Sequence, residues 1–187
     1  MSIKDTPTRY GWISIALHWL TTIAIVALLF IGSSIGTLEG DARSDTVALH
    51  TSVAAVSYVF LWARIVWRFA YGHPGPLPGQ RGGSFLLGKW VHLITLVALT
   101  LMLVTGPIMA WAGGIEITVF DWFVIRNPDP PQLALSDFMH TIHAASAVVV
   151  FVGILLHLGG VYKHVAFHRD GTFTKIFVAG KRSNETL

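Results

Sequence analysis

The chain has 187 residues, of which 53% are hydrophobic and only 12% charged, and its formal net charge is +3. Such a composition excludes an ordinary soluble domain and indicates a membrane protein. The absence of cysteine excludes disulfides, iron–sulfur clusters and covalently attached c-type haem.

Four apolar stretches are long enough to cross a hydrocarbon core of about 30 Å, which needs roughly 20 helical residues. They predict an all-α integral membrane protein, a single four-helix bundle over residues 1–187, with helices at about 12–34, 47–69, 86–111 and 135–162. The first stretch is longer than the apolar region of a signal peptide, and no cleavage-like site follows it. We therefore expect this stretch to be retained as a membrane span.

Three connections between these helices have distinct compositions. HPGPLPGQRGG (73–83) is a Pro/Gly-rich connector between helices two and three. After helix three, GGIEITVFDWFVI (113–125) predicts a short amphipathic or extended segment at the membrane interface. RNPDPPQ (126–132) is a turn-rich entry to helix four.

The basic residues are distributed unevenly between the two sides of the predicted membrane. Eleven of the 13 lysines and arginines fall in the two tails and around the connection from helix two to helix three, together with three acids. The other two connections carry seven acids and only Arg43 and Arg126. By the positive-inside rule both termini are cytoplasmic. The excess of basic residues thus marks the side of the protein at the cytoplasmic membrane face, and it does not indicate binding to nucleic acid.

Histidines recur at one spacing in the predicted helices. Positions 14 apart in an α-helix lie about 21 Å apart along the axis and within about 40° of the same face. On helices one to four, the pairs at this interval are His18 and Gly32, His50 and Arg64, His92 and Gly106, and His143 and His157. His140 is 17 residues from His157, which places it about 100° off that face.

Because neighbouring helices run in opposite directions, these residues predict two layers in the membrane. The cytoplasmic layer would contain His18, Arg64, His92 and His157. The outer layer would contain Gly32, His50, Gly106 and His143. Inward imidazoles on facing helices are how a bundle builds a cofactor site. Zinc usually has four ligands, with thiolate or carboxylate common among them, whereas two imidazoles per layer suit a six-coordinate haem iron.

Six segments of the predicted helices carry a family resemblance: SIALHWL (14–20), ALHTSVA (48–54), WARIVWRF (62–69), HLITL (92–96) with TG (105–106), FMHTIHA (138–144) and LLH (155–157). Together they resemble the bacterial cytochrome b561 family. The resemblance covers all four helices and implies a multi-pass protein of the bacterial inner membrane with two b-type haems. It implies that His18 and His157 bind one haem iron, and that His50 and His143 bind the other.

The resemblance implies an oxidoreductase function with more than one candidate reaction. The family includes superoxide oxidases, which pass an electron from superoxide outside to ubiquinone, and we expect this activity first. The alternative is a cytochrome b anchor subunit that carries electrons between quinone and a partner dehydrogenase or hydrogenase. The short tails favour a free-standing protein. A transporter or channel without haem is disfavoured because the spans contain no acidic residue.

Four further residues have predicted roles beside the haems or the quinone. Arg64 is expected to bind a haem propionate, the alternative being that it extends to the lipid headgroups. His92 and Lys89 are expected to lie near the quinone, the alternative for His92 being a hydrogen-bonding or packing role. His140 is expected at the rim of the outer haem without binding its iron.

Overall fold

The computed structural model describes residues 2–71, 74–75, 82–120, 122–127, 129–168 and 173–179. It confirms a mostly helical chain with four helices long and apolar enough to cross a membrane. These helices are α1 (Trp12–Ile35), α2 (Gly40–Tyr71), α3 (Gly83–Ala112) and α4 (Leu133–Lys163). Most of the predicted connector at 73–83 lies outside the described residues, as do the basic residues Arg169, Lys181 and Arg182.

Helix α2 begins at Gly40, well before residue 47, where hydropathy predicts its start. Its first turns, GDARSDT, are polar and exposed, so a hydropathy pattern detects only the apolar part that follows. Asp41 lies in the first turn, where a carboxylate interacts favourably with the positive end of the helix dipole. The helix is therefore longer than its membrane-crossing part.

The segment after α3 forms a β-hairpin, so the extended form of the predicted segment is the correct one. Strand β1 (Ile117–Val119) pairs antiparallel with β2 (Phe123–Ile125). Phe120 at the turn has a φ of 47°, a left-handed conformation that a bulky residue rarely adopts. Ser52 of α2 holds this turn, since its hydroxyl accepts a hydrogen bond from the Phe120 N–H at 2.9 Å.

The chain divides into two compact units, and each helix contributes one stretch to each. The first unit consists of Met1–Leu20, Phe60–Leu96 and Val152–Leu187. The second unit consists of Thr21–Val59 and Val97–Phe151. All four residues predicted for the cytoplasmic layer belong to the first unit, and all four predicted for the outer layer belong to the second.

Polar contacts join the helices inside each unit. In the first unit, the Trp67 indole of α2 donates a hydrogen bond to the hydroxyl of Ser14 on α1 at 2.8 Å. In the second unit, the hydroxyl of Tyr58 on α2 donates to the Leu103 carbonyl of α3 at 3.3 Å. These bonds satisfy polar groups that would otherwise face an apolar environment.

Candidate functional site

In the first unit, α1 and α4 bring two imidazoles close together. The ring centroids of His18 and His157 are 6.4 Å apart, and the ring planes are inclined by 63°. Two imidazoles that bind one metal from opposite sides, each through a nitrogen at about 2 Å, have centroids roughly 6 Å apart. The spacing of His18 and His157 therefore fits a single metal ion held between them.

His92 of α3 contacts the same pair through a hydrogen bond to His157. His92 Nδ1 lies 2.8 Å from the Gly88 carbonyl, and its Nε2 lies 3.1 Å from His157 Nδ1. A carbonyl only accepts, so Nδ1 of His92 carries the proton, and Nε2 of the neutral ring is an acceptor. His157 then donates through Nδ1–H, and its Nε2 keeps a lone pair available for a metal.

In the second unit, each of two imidazoles rests against a glycine of the neighbouring helix. A Cβ added at Gly32 would lie 3.2 Å from Cε1 of His50, and one added at Gly106 would lie 3.2 Å from Cε1 of His143. His50 and His143 are close enough for their charges to interact. A larger side chain at either glycine would press on the imidazole, so the ring would have to shift by a few tenths of an ångström.

The other ring nitrogens in the second unit have unequal surroundings. Nδ1 of His143 lies 3.3 Å from the Thr105 hydroxyl, and the His143 ring also has a hydrogen-bond partner in the Met102 backbone. The Thr105 hydroxyl donates to the Leu101 carbonyl at 2.7 Å, so it accepts from His143. Nδ1 of His50 is buried without a hydrogen-bond partner among the described residues. The described chain thus leaves His50 unsatisfied, as a residue that binds an additional group would be.

Arg64 lies in the first unit, half-buried and within electrostatic reach of His18. Tyr10, Arg68 and Asp5 also lie within electrostatic reach of its guanidinium. Burial raises the pKa of Tyr10, against the opposing effect of Arg68 and Arg64. Two guanidiniums with one nearby carboxylate leave a positive charge that suits carboxylate ligands. The propionate contact of Arg64 stays a prediction.

The remaining predicted site residues are exposed. Lys89 and His92 are exposed on α3, and both ring nitrogens of His92 already have partners. His140 is exposed on α4, whereas His143 is half-buried. A quinone beside Lys89 and His92 stays a prediction.

The two arginines outside the predicted inner face are both engaged within the second unit. Arg126 forms an ion pair with Glu116, with Nε 2.6 Å from Oε1, and a second contact of 3.4 Å joins Nη2 to Oε2. Arg43 Nη1 donates to the Ile35 carbonyl at 3.2 Å, at the end of α1. Glu116 therefore balances the charge of Arg126, whereas the Ile35 carbonyl is a neutral partner for Arg43.

Across the described part of the chain, no group of three or more His, Cys, Asp or Glu side chains gathers as a bare metal ion would need. The candidate sites are instead pairs of imidazoles. The sequence model described as prokaryotic cytochrome b561 matches residues 9–178, most of the chain. The chain belongs to the prokaryotic cytochrome b561 family.

A curated relative supports membership of the cytochrome b561 family. The chain is 30% identical over 187 residues to cytochrome b561 homolog 2 of Escherichia coli (strain K12), covering 99% of this chain and 98% of that protein. Membership of the family implies b-type haem, haem-based electron transfer and a multi-pass location in the inner membrane. The predictions of family, membrane location and four helices are confirmed.

Three hydrogen-bond partners of the imidazoles were missed by sequence reasoning. They are the Gly88 carbonyl, the Met102 backbone and the Thr105 hydroxyl. Every residue has a backbone carbonyl, so residue type does not show which carbonyl accepts a hydrogen bond. Only the spacing of four residues between Gly88 and His92 could have suggested the Gly88 acceptor. The Gly88 carbonyl orients His92, and the other two partners orient His143, one of the predicted haem ligands.

Proposed function

We propose that this family member binds two b-type haems and transfers single electrons across the inner membrane. His18 and His157 hold one haem, and His50 and His143 hold the other. Haem supplies one-electron redox chemistry, and two axial imidazoles leave its iron no open position for a substrate. The observation that carries the proposal is the 6.4 Å separation of His18 and His157, together with the free lone pair on His157 Nε2.

The proposed reaction is superoxide:ubiquinone oxidoreduction, with superoxide as the electron donor on the outer side. The resemblance to a family that includes superoxide oxidases supports this choice. Arg126 is ion-paired with Glu116, and the two predicted outer connections carry seven acids against only Arg43 and Arg126, so this face has no net positive charge to attract an anion. We therefore expect the rate with superoxide to depend only weakly on ionic strength.

Residues of the first unit would bind a haem propionate and the quinone. Arg64 would bind a propionate through its planar fork of donors. Lys89 is exposed on a helix in the membrane and would donate a hydrogen bond to a carbonyl of ubiquinone. His92 already uses both ring nitrogens, so it would act on the haem through His157.

Haem counting in purified variants tests the ligand assignment. The unaltered protein should contain two b-type haems per chain. His157→Ala and His143→Ala should each retain one, and the two variants should lose different spectral components. His140→Ala should retain both, since His140 is exposed and away from the ligand face. Loss of a haem in His140→Ala, with full retention in His143→Ala, would overturn the assignment.

The donor is tested by mixing superoxide with the purified, oxidised protein and following the haem absorbance. Rapid reduction, followed by reoxidation with added ubiquinone, is the expected result. No reduction by superoxide, combined with co-purification of a dehydrogenase that reduces the haems, would favour the anchor-subunit alternative. His18→Ala, which should lack one haem, serves as a control for electron transfer between the two sites.

A further inference from the structure

We propose that His92 is a positioning residue for the haem ligand His157. By accepting the hydrogen bond from His157 Nδ1–H, it sets the ring tautomer and strengthens Nε2 of His157 as a donor to iron. This inference rests on the proposed function, because it takes His157 as an axial ligand. Both ring nitrogens of His92 are engaged, by the Gly88 carbonyl and by His157, so His92 acts through His157.

The first step is the orientation of the His92 ring. Its Nδ1 is 2.8 Å from the Gly88 carbonyl, one turn earlier on the same helix. A backbone oxygen inside α3 cannot rotate away, and it cannot donate a proton. The bond therefore fixes both the plane of the His92 ring and the nitrogen that carries its hydrogen.

The second step is the direction of the bond between the two rings. His92 Nε2 and His157 Nδ1 are 3.1 Å apart, and the ring centroids are 4.9 Å apart. Since Nε2 of the neutral His92 ring has no hydrogen, the proton in this bond belongs to His157. A ligand imidazole that donates its second N–H to a good acceptor is held in one orientation and becomes more basic.

The third step is a comparison with the other unit. His143 directs its Nδ1–H to the Thr105 hydroxyl at 3.3 Å, and its ring also contacts the Met102 backbone, with no imidazole acceptor among the hydrogen bonds of the described residues. An imidazole nitrogen is a stronger base than a hydroxyl or an amide carbonyl. The two proposed ligands thus donate to chemically different acceptors, His157 to an imidazole and His143 to a hydroxyl. Each acceptor can therefore be changed without changing the other.

The test uses two substitutions of His92 and one matched control. His92→Gln retains an acceptor oxygen near the position of Nε2, whereas His92→Leu keeps an apolar side chain of comparable size without an acceptor. Thr105→Val removes the hydroxyl beside His143 and serves as the control for the other haem. Each full-length variant is purified, its haems are counted, its potentials are titrated optically, and its ferric low-spin signals are recorded by electron paramagnetic resonance.

The expected result is selective. In His92→Leu the ratio of ferric to ferrous affinity at the His18–His157 site should fall about tenfold, a typical effect of losing a partner of a metal ligand. For a one-electron couple that is a rise in potential of about 59 mV. His92→Gln should show a smaller rise, and both should alter the resonance signal of that haem. Thr105→Val should leave this haem unchanged and shift the other.

Other outcomes are equally decisive. If His92→Leu loses the haem while His92→Gln keeps it, the haem count by itself supports the acceptor role of His92. An unchanged potential and signal in His92→Leu with both haems present would overturn the proposal. So would equal changes in the two variants, or loss of the haem in both, because packing alone would then explain the effect. Retention of both haems in His157→Ala would instead refute the proposed ligand set.

Discussion

Gly32 of α1 lies against the imidazole of His50. Gly32→Ala would place a Cβ 3.2 Å from His50 Cε1, tighter than ordinary van der Waals contact. We expect the ring to shift, the haem content of the second unit to fall, and the free energy of unfolding to drop by about 1–3 kcal/mol. Haem counting and thermal unfolding in detergent measure both effects.

Gly36→Ala is the matched control for this prediction, because a Cβ at that glycine meets nothing within 4 Å. It should retain both haems and the stability of the unaltered protein. Equal haem loss in the two variants would mean that the space beside His50 is unimportant.

Tyr10, just before α1, makes the stability of the folded protein depend on pH. Burial raises its pKa above the ordinary value of 10.0. As the pH rises past 10, Tyr10 of the unfolded chain ionises while the buried phenol stays protonated, so the folded state loses stability. Below that pH both states are neutral and the contribution is fully present. Tyr10→Phe should therefore show a shallower loss of thermal stability above about pH 10. Parallel curves for the two proteins would contradict this prediction.

At the scale of elements, Ser52 of α2 makes two hydrogen bonds to the backbone of the β-hairpin. The Ser52 hydroxyl donates to the Thr118 carbonyl at 3.0 Å and accepts from the Phe120 N–H at 2.9 Å, and the side chain is 2% exposed. Ser52→Ala leaves two backbone groups without this partner, which should cost about 1–3 kcal/mol. We expect a lower unfolding temperature and faster proteolysis within residues 117–125.

Ser33→Ala is the control for the hairpin, since the Ser33 hydroxyl bonds only to the Phe30 carbonyl of its own helix among the bonds described. It should leave the proteolysis rate unchanged. If Ser52→Ala and Ser33→Ala are cut equally slowly, the hairpin is held mainly by other contacts.

Close packing of α3 against α4 in the first unit depends on Gly153. A Cβ at this position would overlap the hydroxyl of Thr95, which itself donates to the Val91 carbonyl at 2.7 Å. Gly153→Ala should push the helices apart and lower the free energy of unfolding by about 1–3 kcal/mol. Gly159→Ala, on the same helix and with nothing within 4 Å of its Cβ, should be neutral or stabilising. Equal melting temperatures would contradict the role of Gly153.

At the scale of the whole molecule, the distribution of charge predicts that both termini are cytoplasmic. Because the chain has no cysteine, single cysteines can report the side of the membrane. In spheroplasts, Ser44→Cys before the apolar part of α2 should react with a membrane-impermeant thiol reagent. Val178→Cys near the C-terminus should react only after the membrane is permeabilised. The reverse pattern would invert the predicted orientation.

The sequence by itself determined the four membrane spans, the family and the separation of the histidines into two sets. Apolar length and the 14-residue interval are local properties of a regular helix, so they need no knowledge of neighbouring helices. The start of α2 was placed too late because hydropathy does not detect a polar helical extension such as GDARSDT. The helix layers and the family resemblance both predict the ligand pairs His18 with His157 and His50 with His143, and these pairs stay predictions.

Only the tertiary structure decided which groups meet the imidazole rings. His92 and His157 are 65 residues apart in the chain, and Thr105 and His143 are 38 apart, so their hydrogen bonds depend on how separate helices pack. The turn of the hairpin likewise rests on Ser52, which precedes Phe120 by 68 residues. Hydrogen bonds need atoms placed to within a few tenths of an ångström. Residue type and helical period show which face of a helix a side chain occupies. Only the packing of the helices places its atoms accurately enough for a hydrogen bond.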